Sequence, residues 1–479
     1  MQRPSMRIST PLLAGIALCG ACATNPVTGD RQLSLISESQ EIEMGRQAAQ
    51  EAEQAIGLVD DQALQNYVHR IGTAMARQSE RPNLPWTFRV VDDPTPNAFA
   101  LPGGFIFVTR GLLGLMNSEA ELAGVLGHEI GHVTARHSVT MISRAQIAQL
   151  GLGIGSILVP QIAQLGQLAG AGLQLLFLSY GRDAERQADD LGFRYALDQN
   201  YDVRQMVNVF GQLQRASEAT GRSPLPTWLA SHPYPEERIQ RIQQMLATVG
   251  RDLSTTNRNV DAFVDRIDGL VYGDNPRAGY FSGSLFLHPD LRFRLAFPQG
   301  WRTQNLAQSV TGVSQQQDAI MQLTLAAGSE SQAANQFFGT QGIASSQVSR
   351  TTINGLPAVT GYFQAQTQDG TVAGVAAFIT HESRTYQILA YTPAQLLQRY
   401  DGVFRSAIGS FDRLTDPQAL NVQPNRIDIV RTTQAMTLSE FNRRYPSRID
   451  LNELALINRL EGGSARIPSG TPVKRIVAG

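Results

Sequence analysis

The hydrophobic positions change their spacing partway along the chain, which predicts two kinds of architecture. From Ser37 to about residue 247, apolar residues recur mostly three and four positions apart, the pattern of amphipathic helices. One strand is predicted inside this part, at residues 105–109, directly after the turn Pro102-Gly103-Gly104. From Leu291 to Phe297, apolar and polar residues alternate instead, as in a half-buried strand. We therefore expect a mainly helical first part and a strand-rich second part.

The second part is expected to end in a helix and to be followed by a small tail. Further strands are predicted at residues 320–325, 358–363, 372–379 and 386–391, with a helix over 396–408. After a polar break, the last 50 or so residues show a strand, helix, helix, strand pattern. The predicted fold class is α+β multidomain. The expected bounds are a leader at 1–22, a first domain at 23–250, a linker at 251–280, an α+β domain at 281–415 and a small domain at 425–479.

The first residues have the layout of an export signal. Arginines precede a short apolar run at residues 11–18, and the run ends in Cys19-Gly20-Ala21-Cys22. This resembles a bacterial lipobox, in which two small residues precede the cysteine that receives the lipid, so Cys22 is the predicted lipidation site. Ala23 occupies the position after Cys22. Because an Asp there would signal retention, its absence favours sorting to the outer membrane. The alternative is ordinary cleavage at Ala21-Cys22-Ala23, which leaves a soluble periplasmic protein.

Composition excludes two broad classes of protein. Lys plus Arg number 40 and Asp plus Glu number 41, a formal net charge of −1, so no basic excess points to nucleic acid. Apolar residues at 42% and charged residues at 17% exclude a disordered polyelectrolyte. The chain is expected to fold around several cores.

The candidate chemistry begins on a helix predicted over residues 118–137. Ser118 and Glu121 form a capping box at its start. Four residues is about one helical turn, so the rings of His128 and His132 project from one face and can converge on a single metal ion. Glu129, beside the first histidine, can then act as a general base on a metal-bound water. This pattern predicts hydrolysis of peptide bonds.

A third ligand is expected from a later helix that begins near residue 183. Glu185 and Asp189 are one turn apart, so Glu185 can complete the metal site while Asp189 accepts a hydrogen bond from a ligating histidine. The alternative is an acidic, solvated first turn stabilised by the helix dipole. His137 continues the first helix by five residues and is expected off its metal face. Three further histidines have no motif around them: His69, His288 and His381.

Together these segments resemble one family of metallopeptidases. The matching segments are His128-Glu129-x-x-His132, Glu185-x-x-x-Asp189, the run from Asn97 to Gly104 and Ser231-His232-Pro233. They look like the gluzincins that include HtpX, the CAAX prenyl proteases and periplasmic BepA, over residues 24–247. The resemblance implies a mainly helical zincin domain with a small edge sheet. It also implies one zinc ion per chain, bound by His128, His132 and Glu185, with Glu129 as the base.

The same resemblance implies a substrate strand and a further histidine. Asn97 and Ala98 would begin the strand to which the substrate backbone adds itself. In relatives, a histidine placed like His232 lies near the zinc, where it either stabilises the oxyanion or occupies the open position; the alternative is an ordinary loop residue. Residues 141–178 are rich in Gly, Leu, Ile and Ala, and buried helices or an interfacial flap are favoured there over a membrane span.

The two C-terminal parts carry weaker resemblances. Residues 281–414 are similar to PsbP-type α/β domains and hold no catalytic cluster, so a binding or spacer role is expected. Residues 425–479 resemble a LysM module, which implies a partner such as peptidoglycan. Ala435-Met436 stands where LysM modules usually have Gly-Asp, so the fold is favoured over glycan affinity.

The sequence therefore predicts a lipid-anchored periplasmic zinc endopeptidase that cleaves unfolded or misassembled envelope proteins, outer-membrane proteins included. Two alternatives from other classes are a non-proteolytic, chaperone-like or scaffold lipoprotein tethered to peptidoglycan, and a metal-dependent cell-wall amidase. The intact Glu129 argues against the scaffold, because a protein that does not hydrolyse peptides has no need of a general base.

Overall fold

A computed structural model describes residues 22–152, 179–219, 228–367 and 370–479, which fall into two compact units. The first unit holds the described residues up to Glu53 together with Leu58–Leu270 and Ile427–Ile476. The second holds Gln54–Gly57, Val271–Arg426 and Val477–Gly479. The expected leader up to residue 21 and residues 153–178 of the proposed flap lie outside the described residues. No helix in the described part is both long and apolar enough to cross a bilayer.

The first unit is mainly helical with one small sheet. Strands β3 (Thr87–Val91), β4 (Ala98–Leu101) and β5 (Phe105–Thr109) have the order β3-β5-β4, with β4 antiparallel to β5 on the outside. A short hairpin precedes them, β1 (Cys22–Thr24) and β2 (Arg31–Leu33). The helices are α1 (Glu38–Ile56), α2 (Gln62–Ala76), α3 (Arg110–Leu115), α4 (Glu119–Thr134), α5 (His137–Leu152), α6 (Arg182–Asp198), α7 (Arg204–Ala219), α8 (Trp228–Ser231), α9 (Pro235–Thr248) and α10 (Val260–Ile267).

Helix α4 is the buried centre of this unit. Its N-cap is Ser118, whose side chain accepts a hydrogen bond from the Glu121 backbone N–H, as the capping pattern predicts. Every residue of α4 is buried, so its polar side chains need partners inside the protein. The predicted end at residue 137 is wrong: the helix ends at Thr134, and Arg136 adopts the left-handed conformation at φ 58° before α5 begins.

Helices α4 and α6 touch backbone to backbone because glycines stand at the crossing. A Cβ added at Gly192 would lie 2.6 Å from the backbone nitrogen of His128. One added at Gly127 would lie 2.8 Å from the carbonyl oxygen of Gly192. Only residues without a side chain allow this approach, which brings the facing side chains of the two helices within reach of one another.

The second unit confirms the change to alternating strands. Its seven-stranded antiparallel sheet has the order β10-β11-β12-β16-β15-β14-β13. The strands are β10 (Arg302–Leu306), β11 (Ser309–Val313), β12 (Ile320–Ala326), β13 (Ile343–Ile353), β14 (Leu356–Thr367), β15 (Gly370–His381) and β16 (Arg384–Pro393). Four short strands form a second sheet: β7 (Tyr280–Ser282), β8 (Leu285–His288), β9 (Phe293–Ala296) and β17 (Asp412–Arg413). Strand β6 (Val271–Tyr272) pairs with residues 425–426.

Two helices cover the two faces of the large sheet. Along β15, Ala377 and Ile379 belong to the core that includes helix α12 (Leu397–Gly409). The alternate residues Ala376 and Phe378 pack with helix α11 (Glu330–Phe338) on the other face. The central strand is therefore buried on both sides, and the period of two assigns its residues to two separate cores. A short helix, α13 (Pro417–Leu420), follows β17.

The C-terminal tail has the predicted strand, helix, helix, strand pattern. Its elements are β18 (Asn425–Arg431), β19 (Met436–Thr437), α14 (Leu438–Arg444), α15 (Leu451–Ile457), β20 (Arg466–Ile467) and β21 (Pro472–Ala478), with β18 beside β21. Residues 427–476 belong to the same compact unit as the helical part. Lys474, the sole lysine of the sequence, is buried and donates to the carbonyl oxygens of Gly114, Leu115 and Met116 at 2.8, 3.2 and 2.8 Å.

Candidate metal centre

Helices α4 and α6 bring the three predicted metal ligands together. The Nε2 atoms of His128 and His132 lie 3.0 Å apart. The Glu185 carboxylate reaches both rings, with Oε2 3.6 Å from Nε2 of His128 and Oε1 3.4 Å from Nε2 of His132. All three side chains are buried. The one-turn spacing on α4 and the first turn of α6 thus converge on one point, as the sequence predicts.

His232 joins the same cluster from the residue after helix α8. Its Nδ1 atom lies 3.1 Å from Oε1 of Glu185 and 3.2 Å from Nε2 of His128. One ligand atom from each of His128, His132, Glu185 and His232 can be chosen so that all lie within 4.8 Å of one another. The ring of Trp228 stacks on that of His232, with centroids 4.8 Å apart and an interplanar angle of 28°. The structure therefore places His232 beside the three predicted ligands.

Glu129 lies next to this cluster and is fully buried. Neither of its carboxylate oxygens makes a hydrogen bond within the described part of the chain. The nearest basic nitrogen is Nε2 of His232, 3.4 Å from Oε1. A buried carboxylate without hydrogen bonds is costly, so this arrangement fits a group that acts on a molecule bound in the site.

Asp189 and Arg238 support the cluster from behind. Oδ1 of Asp189 lies 2.9 Å from Nδ1 of His128, the hydrogen bond that the sequence predicts. Arg238 on α9 is 2% exposed and pairs with both carboxylates, with Nη2 2.7 Å from Asp189 and Nη1 2.9 Å from Glu185. Its guanidinium carbon contacts the rings of Phe210 and Trp228, at 4.4 and 4.5 Å from their centroids.

The other side of His132 is also occupied, which corrects the expectation for His137. Because the chain reverses at Arg136, the His137 ring returns to the cluster, and its Nδ1 lies 2.8 Å from Nδ1 of His132. Nε2 of His137 lies 3.0 Å from Oε1 of Gln187 on α6. Tyr180 stacks on His132 with ring centroids 3.9 Å apart. Three side chains that sequence reasoning did not use, Arg238, Gln187 and Tyr180, thus contact the site.

Burial and charge leave these side chains in the protonation states that a metal site requires. Burial lowers the pKa of His128 and of His132 to about 4, and the positive charge of Arg238 acts in the same direction on His128. Burial alone would raise the pKa of Glu185, but the charges of His232 and Arg238 and hydrogen bonds from histidines hold it well below its usual range. Neutral imidazoles and a charged carboxylate are the forms that bind metal ions.

The predicted substrate strand, β4, is one of the two edge strands of the small sheet. Asn97 directly precedes β4, and Ala98 is its first residue, paired with Val108. Thr109 fixes this start, because its backbone N–H donates to the carbonyl oxygen of Asn97 at 2.9 Å and its hydroxyl accepts from the Asn97 N–H at 3.0 Å. Helix α4, which carries His128 and His132, packs against β4. The predicted substrate strand therefore lies beside the helix that carries two of the candidate metal ligands.

Comparison with known proteins shows that part of the chain is similar to metallopeptidases. Residues 62–246 match Peptidase family M48. The chain is 28% identical over 247 residues to the beta-barrel assembly-enhancing protease of Yersinia pestis, which covers 49% of this chain and 50% of that protein. It is 29% identical over 238 residues to the mitochondrial metalloendopeptidase OMA1 of Schizosaccharomyces pombe, covering 48% of this chain and 68% of the relative. The chain thus spans half the length of the Yersinia protein.

A comparison with solved structures concerns another part of the chain. The solution structure of cyanobacterial PsbP (CyanoP) from Synechocystis sp. PCC 6803 matches 28% of this chain and 94% of that chain, with 12% identity and a TM-score of 0.24. So low a score leaves the PsbP-like assignment of residues 281–415 a prediction. The α+β multidomain class itself is confirmed by the observed helices and sheets.

Proposed function

We propose that this chain is a zinc-dependent endopeptidase of the bacterial envelope that cleaves unfolded or misassembled proteins, and the match of residues 62–246 to Peptidase family M48 supports this proposal. One observation carries the proposal: His128, His132 and Glu185 converge within a buried cluster beside Glu129, a carboxylate that makes no hydrogen bond among the described residues. Two histidines and a carboxylate are a common ligand set of catalytic zinc.

The residues present fit a single zinc ion. The two Nε2 atoms face each other at 3.0 Å across neutral rings, and a carboxylate lies against both, so a cation between them would satisfy lone pairs that otherwise point at one another. His128, His132 and Glu185 would hold it, one ion per chain. When bound, zinc polarises a substrate carbonyl and lowers the pKa of water to about 7.

The remaining steps belong to the chain's own residues. Glu129, whose carboxylate makes no hydrogen bond among the described residues, takes the proton of the attacking water and delivers it to the leaving amine. Asp189 and Arg238 keep the His128 ring aligned from behind. The substrate backbone adds to β4 at Asn97 and Ala98, so main-chain hydrogen bonds rather than side-chain pockets select the substrate. Loose sequence preference follows, as suits unfolded proteins.

Two roles fit His232, which lies within 3.2 Å of His128 and 3.1 Å of Glu185. As a fourth ligand it would hold the enzyme latent, and as a donor it would stabilise the oxyanion of the transition state. A His232→Ala variant separates the two. Faster hydrolysis of an unfolded protein assigns restraint, whereas slower hydrolysis with metal retained assigns a catalytic role.

Localisation and anchoring complete the proposal. The lipobox-like residues before Cys22 support lipidation of that cysteine and attachment to the outer membrane, facing the periplasm. The resemblance of residues 425–479 to LysM modules supports peptidoglycan as a further partner. The strand, helix, helix, strand order of the tail supports the fold of such a module, and binding of the tail to purified peptidoglycan tests the affinity.

The reaction is tested with an unfolded protein such as casein and the zinc-loaded full chain. Glu129→Gln removes the base and keeps the ligands, so it should abolish cleavage while still binding one zinc ion. Glu185→Gln should lose the metal and the activity together. Its matched control is Asp183→Asn in the same first turn of α6, where the carboxylate is exposed and away from the cluster.

The outcomes of this experiment distinguish the peptidase from its two alternatives. The peptidase is established if Glu129→Gln and Glu185→Gln both abolish cleavage while Asp183→Asn remains active. No cleavage by the zinc-loaded wild-type chain or by His232→Ala would favour the chaperone-like or scaffold alternative. Release of peptide from purified peptidoglycan, with casein left intact, would favour the amidase.

A further inference from the structure

We propose that His137 is a positioning residue that fixes the tautomer and the orientation of the metal ligand His132, within a hydrogen-bonded chain of Gln187, His137 and His132. The inference rests on the metal site of the proposed function and concerns how one of its ligands is held. His128 has the Asp189 carboxylate behind it, whereas no carboxylate among the described residues lies within ion-pairing distance of Nδ1 of His132.

The two nitrogens of His132 face different partners. Nε2 points into the cluster, 3.0 Å from Nε2 of His128 and 3.4 Å from Glu185. Nδ1 points away from it, to Nδ1 of His137 at 2.8 Å. His137 therefore cannot share the metal with His132, because it lies on the opposite side of that ring. A contact of 2.8 Å between two imidazole nitrogens requires that one of them carry the proton.

The proton positions follow from one requirement. If Nε2 of His132 offers its lone pair to a metal ion, the neutral ring carries its proton on Nδ1 and donates it to Nδ1 of His137. His137 must then be protonated on Nε2, which lies 3.0 Å from the amide oxygen of Gln187. That oxygen can only accept. The opposite tautomer of His137 would set two N–H groups against each other at 2.8 Å.

The backbone is shaped to bring the His137 ring back. Along an uninterrupted helix, a residue five positions after His132 would be rotated by about 140° from it, off the metal face. Arg136 instead adopts φ 58°, a left-handed conformation that is unfavourable for a non-glycine residue. Its side chain is held by Glu41 Oε2 and the carbonyl oxygen of Ile36, each at 2.9 Å. These buried contacts stabilise the reversal that lets His137 reach His132.

The matched test compares two substitutions of His137 in the full chain. Asn places an amide oxygen close to the position of the Nδ1 atom and keeps the acceptor, while Leu has similar size and no acceptor. Zinc affinity is measured by competition with a chromophoric chelator, so hydrolysis is not the readout. His137→Leu should weaken zinc binding by roughly 10- to 100-fold, as for other residues that orient metal ligands, and His137→Asn by less than about threefold.

Gln187 offers a second pair of variants that leaves the buried histidines intact. Gln187→Leu removes the acceptor that holds the His137 tautomer and should weaken zinc binding, whereas Gln187→Glu keeps an acceptor and should not. His69→Leu, on helix α2, is the control for loss of a histidine elsewhere. The proposal would be overturned if His137→Leu, His137→Asn and the wild-type chain bound zinc with equal affinity. It would also be overturned if both His137 variants lost zinc affinity equally while their melting temperatures stayed unchanged.

Nitrogen NMR of the wild-type chain tests the same point without any substitution. The zinc-loaded protein should show the His132 proton on Nδ1 and the His137 proton on Nε2. A His137 protonated on Nδ1 would contradict the proposal even if zinc binds. A wild-type chain that binds no zinc would instead contradict the proposed function, so the two failures are distinguishable.

Discussion

Arg238 donates two hydrogen bonds to Asp189, from Nε to Oδ2 at 2.8 Å and from Nη2 to Oδ1 at 2.7 Å. Both side chains are at most 2% exposed, and the same carboxylate lies 2.9 Å from His128. Three residues along α9, Arg241 makes a similar two-pronged contact with Asp190. That second pair is about 40% exposed on both sides, at 39% and 40%. The chain thus contains a buried and an exposed version of one interaction between the same two helices.

This pair of contacts predicts a large difference between two equivalent substitutions. Arg238→Met leaves buried carboxylates without their counter-charge and should lower the free energy of unfolding by about 3–5 kcal/mol. Arg241→Met should change it by less than about 1 kcal/mol, because the exposed pair is screened by water. Urea denaturation of the metal-free proteins measures both. Equal midpoints for the two variants would contradict the assigned role of Arg238.

The glycine crossing of α4 and α6 predicts that helix spacing controls metal binding. Gly192→Ala places a Cβ 2.6 Å from the backbone of His128, so the helices must separate and Glu185 must move away from the histidines. Hydrolysis should fall by about 100-fold, the effect expected of misplacement by about 1 Å. Gly211→Ala on α7 is the control, because nothing lies within 4 Å of its Cβ and alanine favours helix. Full activity of Gly192→Ala would show that the crossing is not required.

The tail is expected to be required for the stability of the first unit. Lys474→Met removes the donor to three buried carbonyl oxygens and should lower the free energy of unfolding by about 2 kcal/mol. Arg466→Met, at an exposed position of β20, should have almost no effect. Thermal melting compares the two. If deletion of the chain after residue 426 left the melting temperature of the helical part unchanged, the tail would be a separable module.

The second unit should lose stability in acid through His288. Burial lowers its pKa to about 4, and its Nδ1 accepts a hydrogen bond from the Leu291 N–H at 3.2 Å. Between pH 6.5 and 4 the His288 ring binds a proton in the unfolded chain but stays neutral in the folded chain. The stability that neutral His288 contributes is therefore fully present above pH 6.5 and is lost as the pH falls toward 4. At pH 5 the free energy of unfolding should be lower by about 2 kcal/mol.

A variant that does not titrate isolates this effect. His288→Asn keeps an acceptor near the Nδ1 position, so its melting temperature should fall less than that of the wild-type chain between pH 7 and pH 5. An identical fall in both proteins would show that His288 contributes nothing to the acid sensitivity.

The elements that sequence reasoning found are those whose pattern is local. The spacing of His128 and His132 on one helix and of Glu185 and Asp189 on another required only the helical period. Strand β15 was predicted from residues that are buried on both faces. Strand β13 is missing from the predicted strands, because this outer strand has no apolar alternation: nine of its eleven residues are exposed and only Ile353 is buried.

What the sequence could not supply depends on distant contacts. Arg238 follows two glutamates in the first turns of α9 and has the local pattern of a solvated face, yet it is buried against α6. His137 reaches His132 only because Arg136 reverses the chain, and the contacts that hold this reversal come from Glu41 and Ile36. The packing of the tail against the helical part depends on hydrogen bonds from Lys474 to backbone carbonyl oxygens. Every residue has such an oxygen, so a sequence does not show which of them accept these bonds.

The most direct test of the metal-dependent peptidase is a zinc titration of the chelated full chain, with casein hydrolysis followed at each step. Without metal we expect no hydrolysis, and with zinc we expect a linear rise that stops at one equivalent, because His128, His132 and Glu185 form one candidate metal cluster within the described residues. Full hydrolysis by the metal-free chain, or one bound zinc ion without any cleavage by the wild-type chain or by His232→Ala, would contradict it.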